Sequence, residues 1–187
     1  MGKIPPHATR VFKGEVFDIY QWPQQLYDGS TATFEVAARA STIEVIAMDG
    51  DDIVFSRQEQ PNKPPYYSFL GGRAEPDEAP LETAKRELLE ESGLASDDWR
   101  LLRTYPIPGK IDWTIYLFLA TSCRTAATPA LDAGEKIELI RMPFKQFLQE
   151  IVPLPTFACA EFRAEIMSAY NHEQAALVCR DVLGETE

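Results

Sequence analysis

From Gly71 to Leu94 the chain reads GGRAEPDEAPLETAKRELLEESGL, and this stretch leaves it few ways to fold. A glycine pair allows a tight turn and close backbone approach. Pro80 then suits the first turn of a helix, and Gly93 suits its C-terminal cap. A helix over Pro80–Ser92 is expected, with Leu81, Ala84, Leu88 and Leu89 facing the core and Glu78 and Glu82 at the positive end of its dipole. Glu87, Glu90 and Glu91 then fall at i, i+3 and i+4 on one flank, where like charges repel by roughly 0.2–0.5 kcal/mol per pair. Glu90 and Glu91 also lie in the last turn, where the dipole disfavours negative charge. A solvated helix gains nothing from this arrangement. A hard divalent cation turns it into a binding site, because such ions take carboxylate oxygens.

The rest of the pattern is mostly β. Residues 10–20 and 31–38 alternate apolar and polar, with Asp28-Gly29 as the turn between two antiparallel strands. Thr42–Met48 and Asp52–Gln58 form a hairpin across Asp49-Gly50-Asp51. A loop over Pro61–Pro65 and a short strand over Tyr66–Leu70 lead into the glycine pair. Trp99–Ile107, Trp113–Ser122 and Ile137–Met142 read as further strands, the second apolar enough for a central position. Phe144–Ile151 reads as a helix, and Phe157–Leu183 has helical periodicity. Strands flanked by a few helices imply an α+β layered domain.

The 187 residues suit one domain with a single core and leave room for a small appendage. A net charge of −11 argues against a nucleic-acid binder, which presents a basic face. Cys123, Cys159 and Cys179 have no metal-ligand spacing and read as small buried hydrophobes in a reducing compartment. His7 and His172 are too few for a zinc site or a Ser–His triad. No apolar run of about 18 residues marks a membrane span, and the N-terminus lacks a signal-like apolar region. A cytoplasmic protein, without membrane association, is expected.

Gly72, Glu78, Arg86, Glu87, Leu88, Glu90, Glu91, Gly93 and Leu94 stand at the spacings of a nine-position pattern that resembles the Nudix hydrolase signature. The resemblance implies a mixed β-sheet packed between α-helices (an α/β/α sandwich). It also implies magnesium- or manganese-assisted hydrolysis of a nucleoside diphosphate linked to another group. By resemblance, Glu87 and Glu91 are the principal metal ligands, Glu90 is a third ligand or a supporting partner, and the backbone carbonyl of Gly71 contributes as well. Arg86 cannot bind metal. Its implied role is to hold a glutamate in place, with Glu78 as its ion-pair partner.

Looser similarity points to the ADP-ribose and nucleotide-sugar pyrophosphatases. Glu35-Val36-Ala37 and Arg57-Gln58-Glu59-Gln60 stand where that subgroup has Glu-Val-Val and Arg-Gln-Tyr-Arg. Pro108-Gly109 resembles its Ser-Pro-Gly element, with Ile107 in place of the serine. Arg57 and Pro108 are therefore candidate substrate contacts. The implied base lies in the loop Thr128–Lys136, with Glu135 preferred over Glu138 and Glu90. Tyr20, Trp22, Tyr66 and Tyr67 could stack on a base, although packing explains each of them more simply. Residues 1–41 are expected to form an N-terminal antiparallel element that pairs two copies into a homodimer, and residues 42–187 the hydrolase domain. Hydrolysis of nucleoside triphosphates or dinucleoside polyphosphates, or ligand sensing without turnover, are the alternatives.

Overall fold

The computed structural model describes residues 3–61, 63–131, 133–134, 136–168, 180 and 182. Its strands are β1 (Thr9–Lys13), β2 (Asp18–Gln25), β3 (Thr31–Ala38), β4 (Thr42–Asp49), β5 (Asp52–Gln60), β6 (Lys63–Ser68), β7 (Leu94–Ala95), β8 (Asp98–Pro106), β9 (Ile111–Asp112), β10 (Thr114–Thr121), β11 (Arg124–Thr125) and β12 (Lys136–Pro143). The helices are α1 (Pro80–Ser92), α2 (Phe144–Glu150) and α3 (Ala160–Ser168). The main sheet runs β12-β5-β4-β10-β8, with β6 added to β5. β4 and β10 are parallel and the other neighbours antiparallel, so the sheet is mixed. A second sheet, β1-β2-β3-β9, is built from the N-terminal strands.

β4 shows how the layers arise. Its side chains alternate faces, as the pleat requires. Ile43, Val45 and Ala47 pack with Leu88 and Ala84 of α1, while Ile46 and Met48 pack with Phe147 of α2 and Phe162 of α3. The sheet is thus buried on both faces between helices, which makes an α/β/α sandwich. The deeper core is aromatic: Phe69 meets Phe157 and Phe162 edge-on, with centroids 5.2 Å apart in both pairs. Among the described residues no helix is long and apolar enough to cross a membrane.

β4 and β5 pair only beside their turn, from Ala47↔Val54 to Asp49↔Asp52. Beyond that the strands separate. β5 continues against β6, and residues 70–73 take the freed edge of β4, where Leu70 and Gly72 accept the N–H groups of Val45 and Ile43, each at 2.8 Å. This split places the glycine pair in the sheet with α1 directly after it.

Three expectations need correction. The alternation over residues 10–20 is two strands, because the chain turns back at Gly14, whose N–H reaches Phe17 O at 3.0 Å. The loop expected at Pro61–Pro65 is in part strand, since β6 begins at Lys63. Its prolines are tolerated because, among the described residues, β5 is its only strand partner. Leu89 is 38% exposed while Glu91 is 5% exposed, so the helix buries a carboxylate where periodicity predicts a leucine. Cys123 and Cys159 are buried free thiols, and Cys179 lies outside the described residues, as does most of the C-terminal periodic segment beyond Ser168.

Candidate active site

α1 starts on Pro80 and ends on Gly93, which adopts a left-handed conformation (φ 69°) and returns its N–H to Leu89 O. Gly93 O then receives the N–H groups of Ala126 and Ala127, and Glu90 O receives that of Ala130. The loop after β11 is thereby laid across the end of the helix that bears the glutamates.

Arg86 organises that helix face. Its Nε and Nη2 grip the two oxygens of Glu78, both at 3.0 Å, while Nη1 reaches Glu87 Oε1 at 2.9 Å and Glu90 Oε2 at 3.0 Å. Glu78 also accepts the Thr83 hydroxyl at 2.8 Å and the Glu75 N–H at 3.1 Å. The Arg86 guanidinium holds the Glu78 carboxyl down at about 2, and this ring of carboxylates raises the pKa of Arg86. A forked guanidinium can hold one carboxylate by an edge while its remaining amino group reaches two more. One cation therefore positions two of the candidate ligands.

Glu91 is held separately. Its Oε2 accepts the Gly71 N–H at 2.7 Å, and its Oε1 lies 3.5 Å from Gln58 Nε2. Gln58 is fixed in turn by the Tyr66 hydroxyl at 2.8 Å and by Ser56 Oγ at 2.9 Å. The glycine pair is a packing requirement as well as a turn. A β-carbon at Gly71, where φ is 138°, would strike the carbonyl of Ile43, and one at Gly72 would strike the carboxylate of Glu87.

These groups line a cleft of about 940 Å³. Gly72, Glu78, Arg86, Glu87, Glu90 and Glu91 belong to it on one side, and Ala130 and Leu131 sit at its rim. The facing wall carries residues of the N-terminal sheet and its exit, among them Lys13, Glu15, Asp18 and Arg39, and is joined by Arg73, which follows the glycine pair and extends its guanidinium to Glu15 O. Among the described residues no three acidic, cysteine or histidine side chains converge on one point; Arg86 stands between Glu87 and Glu90. The donor chemistry nonetheless fits a hard divalent ion. Three carboxylates share one arginine, a fourth, Glu91, is held beside them by Gly71 N–H, and a backbone turn without a β-carbon lies against them.

The structure disperses the other sequence candidates. Arg57 points away from the cleft and lies 3.6 Å from both Glu59 and Glu138, because the alternation that turns Gln58 toward Glu91 turns its neighbour away. Pro108 is exposed on the loop before β9 and does not line the cleft. Glu138 sits on β12 outside it. Glu135 lies outside the described residues. Trp22 packs on Phe34, Tyr67 on Phe55, and Tyr66 is held by Gln58; none of these three, nor Tyr20, lines the cleft. Sequence reasoning missed Arg39, Arg73 and Gln58. Arg73 adjoins the glycine pair and was within reach. Arg39 precedes β4 and has no local signal.

A model of the NUDIX domain matches residues 38–158. The methanol dehydrogenase activator of Bacillus methanolicus is 27% identical over 159 residues, covering 81% of this chain and 86% of that protein. The ADP-ribose pyrophosphatase of Bacillus subtilis (strain 168) is 26% identical over 144 residues, covering 75% and 78%. The crystal structure of an ADP compounds hydrolase superposes with a TM-score of 0.72 over 97% of both chains at 16% identity, which is a likeness of fold.

Proposed function

The chain belongs to the NUDIX domain family and is a hydrolase of that family, and we propose that it cleaves the pyrophosphate linkage of a nucleoside diphosphate derivative. The substrate proposed is ADP-ribose or another nucleotide sugar, with a nucleoside monophosphate and a sugar phosphate as products. The observation that carries this reading is the set of four glutamates lining the cleft, three of them paired with Arg86 and the fourth, Glu91, held by the Gly71 N–H. The 26% identity to an ADP-ribose pyrophosphatase supports the substrate class. A cleft of about 940 Å³ is also large enough for a two-part ligand.

Magnesium or manganese is the proposed cofactor, held by Glu87 and Glu91 with Glu90 and the Gly71 carbonyl in support. When bound, it would screen the charge of the diphosphate and make a bound water more acidic. The chain's own residues do the rest. Glu78 fixes Arg86, Arg86 fixes Glu87 and Glu90, and Gln58 with the Gly71 N–H fixes Glu91, so the carboxylates are positioned before substrate arrives. The proposed general base is Glu135, carried by the loop that Ala130 ties to Glu90 O at 2.8 Å. Glu90 itself, which lines the cleft, is the alternative.

A homodimer and a reducing, cytoplasmic location are proposed with it. β1 is a sheet edge exposed along its length, with Val11 and Phe12 on it and Val16 and Phe17 in the turn that follows presenting apolar side chains. Two buried free thiols suit a reducing compartment.

A panel of ADP-ribose, ADP-glucose, GDP-mannose, NADH, dinucleoside polyphosphates and nucleoside triphosphates, with Mg²⁺ or Mn²⁺ and products identified, tests the reading. Turnover of a nucleotide sugar to a monophosphate and a sugar phosphate is expected. Turnover of triphosphates alone would overturn the substrate class. Sedimentation at micromolar concentration tests the dimer, with a monomer as the refuting result.

A further inference from the structure

In a chain of net charge −11, two arginines stand side by side in the cleft with no ion-pair partner among the described residues. Arg39 lies 4.3 Å from the ring centroid of Trp113 and 5.6 Å from that of Phe17. Its Nη2 has one long contact, 3.4 Å to Thr42 Oγ1, and its Nε is buried without a partner. Arg73 donates to the backbone carbonyl of Glu15 at 3.0 Å and to no carboxylate among the described residues. Burial, and then the charge of Arg73, lower the pKa of Arg39. Arg10, Arg57, Arg86, Arg103, Arg124 and Arg141 all sit against carboxylates. Of the acids on the same wall, Asp18 is taken by Arg10.

Placing two like charges together, one of them desolvated, costs free energy that an anion between them would recover. Stacking on an indole holds a guanidinium by its face and leaves its donor edge free. The backbone holds the position as well. Arg39 N–H bonds Asp112 O at 3.1 Å, one residue before Trp113, and the Trp113 indole N–H donates to Thr42 Oγ1 at 3.1 Å.

We propose that Arg39 and Arg73 form an oxyanion subsite that takes a phosphoryl group of the substrate from the wall facing the glutamates. This rests on the diphosphate reading of the cleft and deepens it. The diphosphate lies between a carboxylate wall suited to cations and an arginine wall suited to phosphate oxygens. Substrates with a single phosphoryl group reach only one wall and bind poorly.

The test is calorimetric titration of inorganic pyrophosphate, in excess MgCl₂, into the wild type and the variants Arg39→Gln, Arg73→Gln and Arg124→Gln. Arg124 does not line the cleft and pairs with Asp97. Arg39→Gln and Arg73→Gln should each weaken binding by about tenfold, the worth of a charge-assisted hydrogen bond, with Arg124→Gln unchanged. If Arg39→Gln melts well below the wild type, Arg73→Gln and Arg39→Lys decide, the latter keeping charge but losing the fork. Unchanged affinity in Arg73→Gln, no binding by the wild type, or an equal loss in Arg124→Gln would each overturn the subsite. With an active substrate in hand, KM should rise in Arg73→Gln by more than kcat falls. Pyrophosphate binding that depends on the arginines, without turnover of any nucleotide sugar, would support the subsite and refute the substrate reading. Turnover indifferent to both arginines would do the reverse.

Discussion

The carboxylate of Glu87 rests on the α-carbon of Gly72, leaving no room for a β-carbon between them. A residue 15 positions away in sequence is thus positioned by the absence of a side chain. In Gly72→Ala the obstacle is the far end of a flexible glutamate, so the fold should survive with a melting point close to that of the wild type. Glu87 must swing aside and Arg86 loses one of its acceptors. Turnover should fall by about 100-fold, as displacements on the ångström scale do in positioned sites, and Mn²⁺ affinity should fall with it. Calorimetry with Mn²⁺ and an assay on the substrate found by the panel check this. A variant that binds metal and turns over normally would remove Glu87 from the site.

Glu78 makes the strongest contact in the cluster and is expected to touch neither metal nor substrate. Its carboxyl is held at about 2, against an ordinary 4.5, chiefly by Arg86. A depressed acid stabilises the fold above its ordinary pKa, and that contribution fades as the pH falls through the folded value. Glu78→Gln should therefore melt about 3–8 °C below the wild type at pH 7. The gap should close between pH 4.5 and about 2. Melting curves across that range are the measurement, and a gap independent of pH would contradict the assignment.

Much of α1 was legible in sequence because its limits are local: Pro80 starts it and Gly93 ends it. The central place of β10 was legible from an apolar run that only a doubly covered strand needs. Other features depend on contacts far along the chain. Periodicity alone could not show that Glu91 turns inward rather than Leu89, since the choice is made by the Gly71 N–H and Gln58. Arg39 carries no meaning until the fold sets Trp113 beneath it and Arg73 beside it. Strand parity turns Gln58 toward Glu91 and its neighbour Arg57 toward Glu59 and Glu138, a distinction that the motif alone does not carry.

Gly93 links the helix to the loop proposed to carry the base. Its φ of 69° disfavours any L residue, and a β-carbon there would collide with Ala127 O. Gly93→Ala should cost about 1–2 kcal/mol for the left-handed conformation alone, and more if the loop holds its place. If the loop yields instead, the bond from Ala130 N to Glu90 O is disturbed and kcat falls while KM changes little. Chemical denaturation together with steady-state kinetics separates the two responses. A variant of wild-type stability and rate would show that the loop is not anchored here.

On the opposite face of β4, Glu44 is a carboxylate that the fold has not neutralised with a cation among the described residues. Burial raises its pKa to about 7 from an ordinary 4.5; the Cys159 thiol, 2.5 Å away, opposes the rise, and Glu161 adds to it. The sign is opposite to that of Glu78. A raised acid is harmless below its ordinary pKa, where it is protonated in both the folded and unfolded states. Between 4.5 and 7 the unfolded chain ionises and the folded one does not, so stability drains away as the pH rises, then levels off. Glutamine matches the neutral form and keeps an oxygen for the thiol. Glu44→Gln should thus leave the melting point unchanged at pH 4 and raise it by about 5 °C at pH 8, with no effect on pyrophosphate binding. A variant that lost stability at pH 8 would mean that the Glu44 charge is compensated and serves the fold.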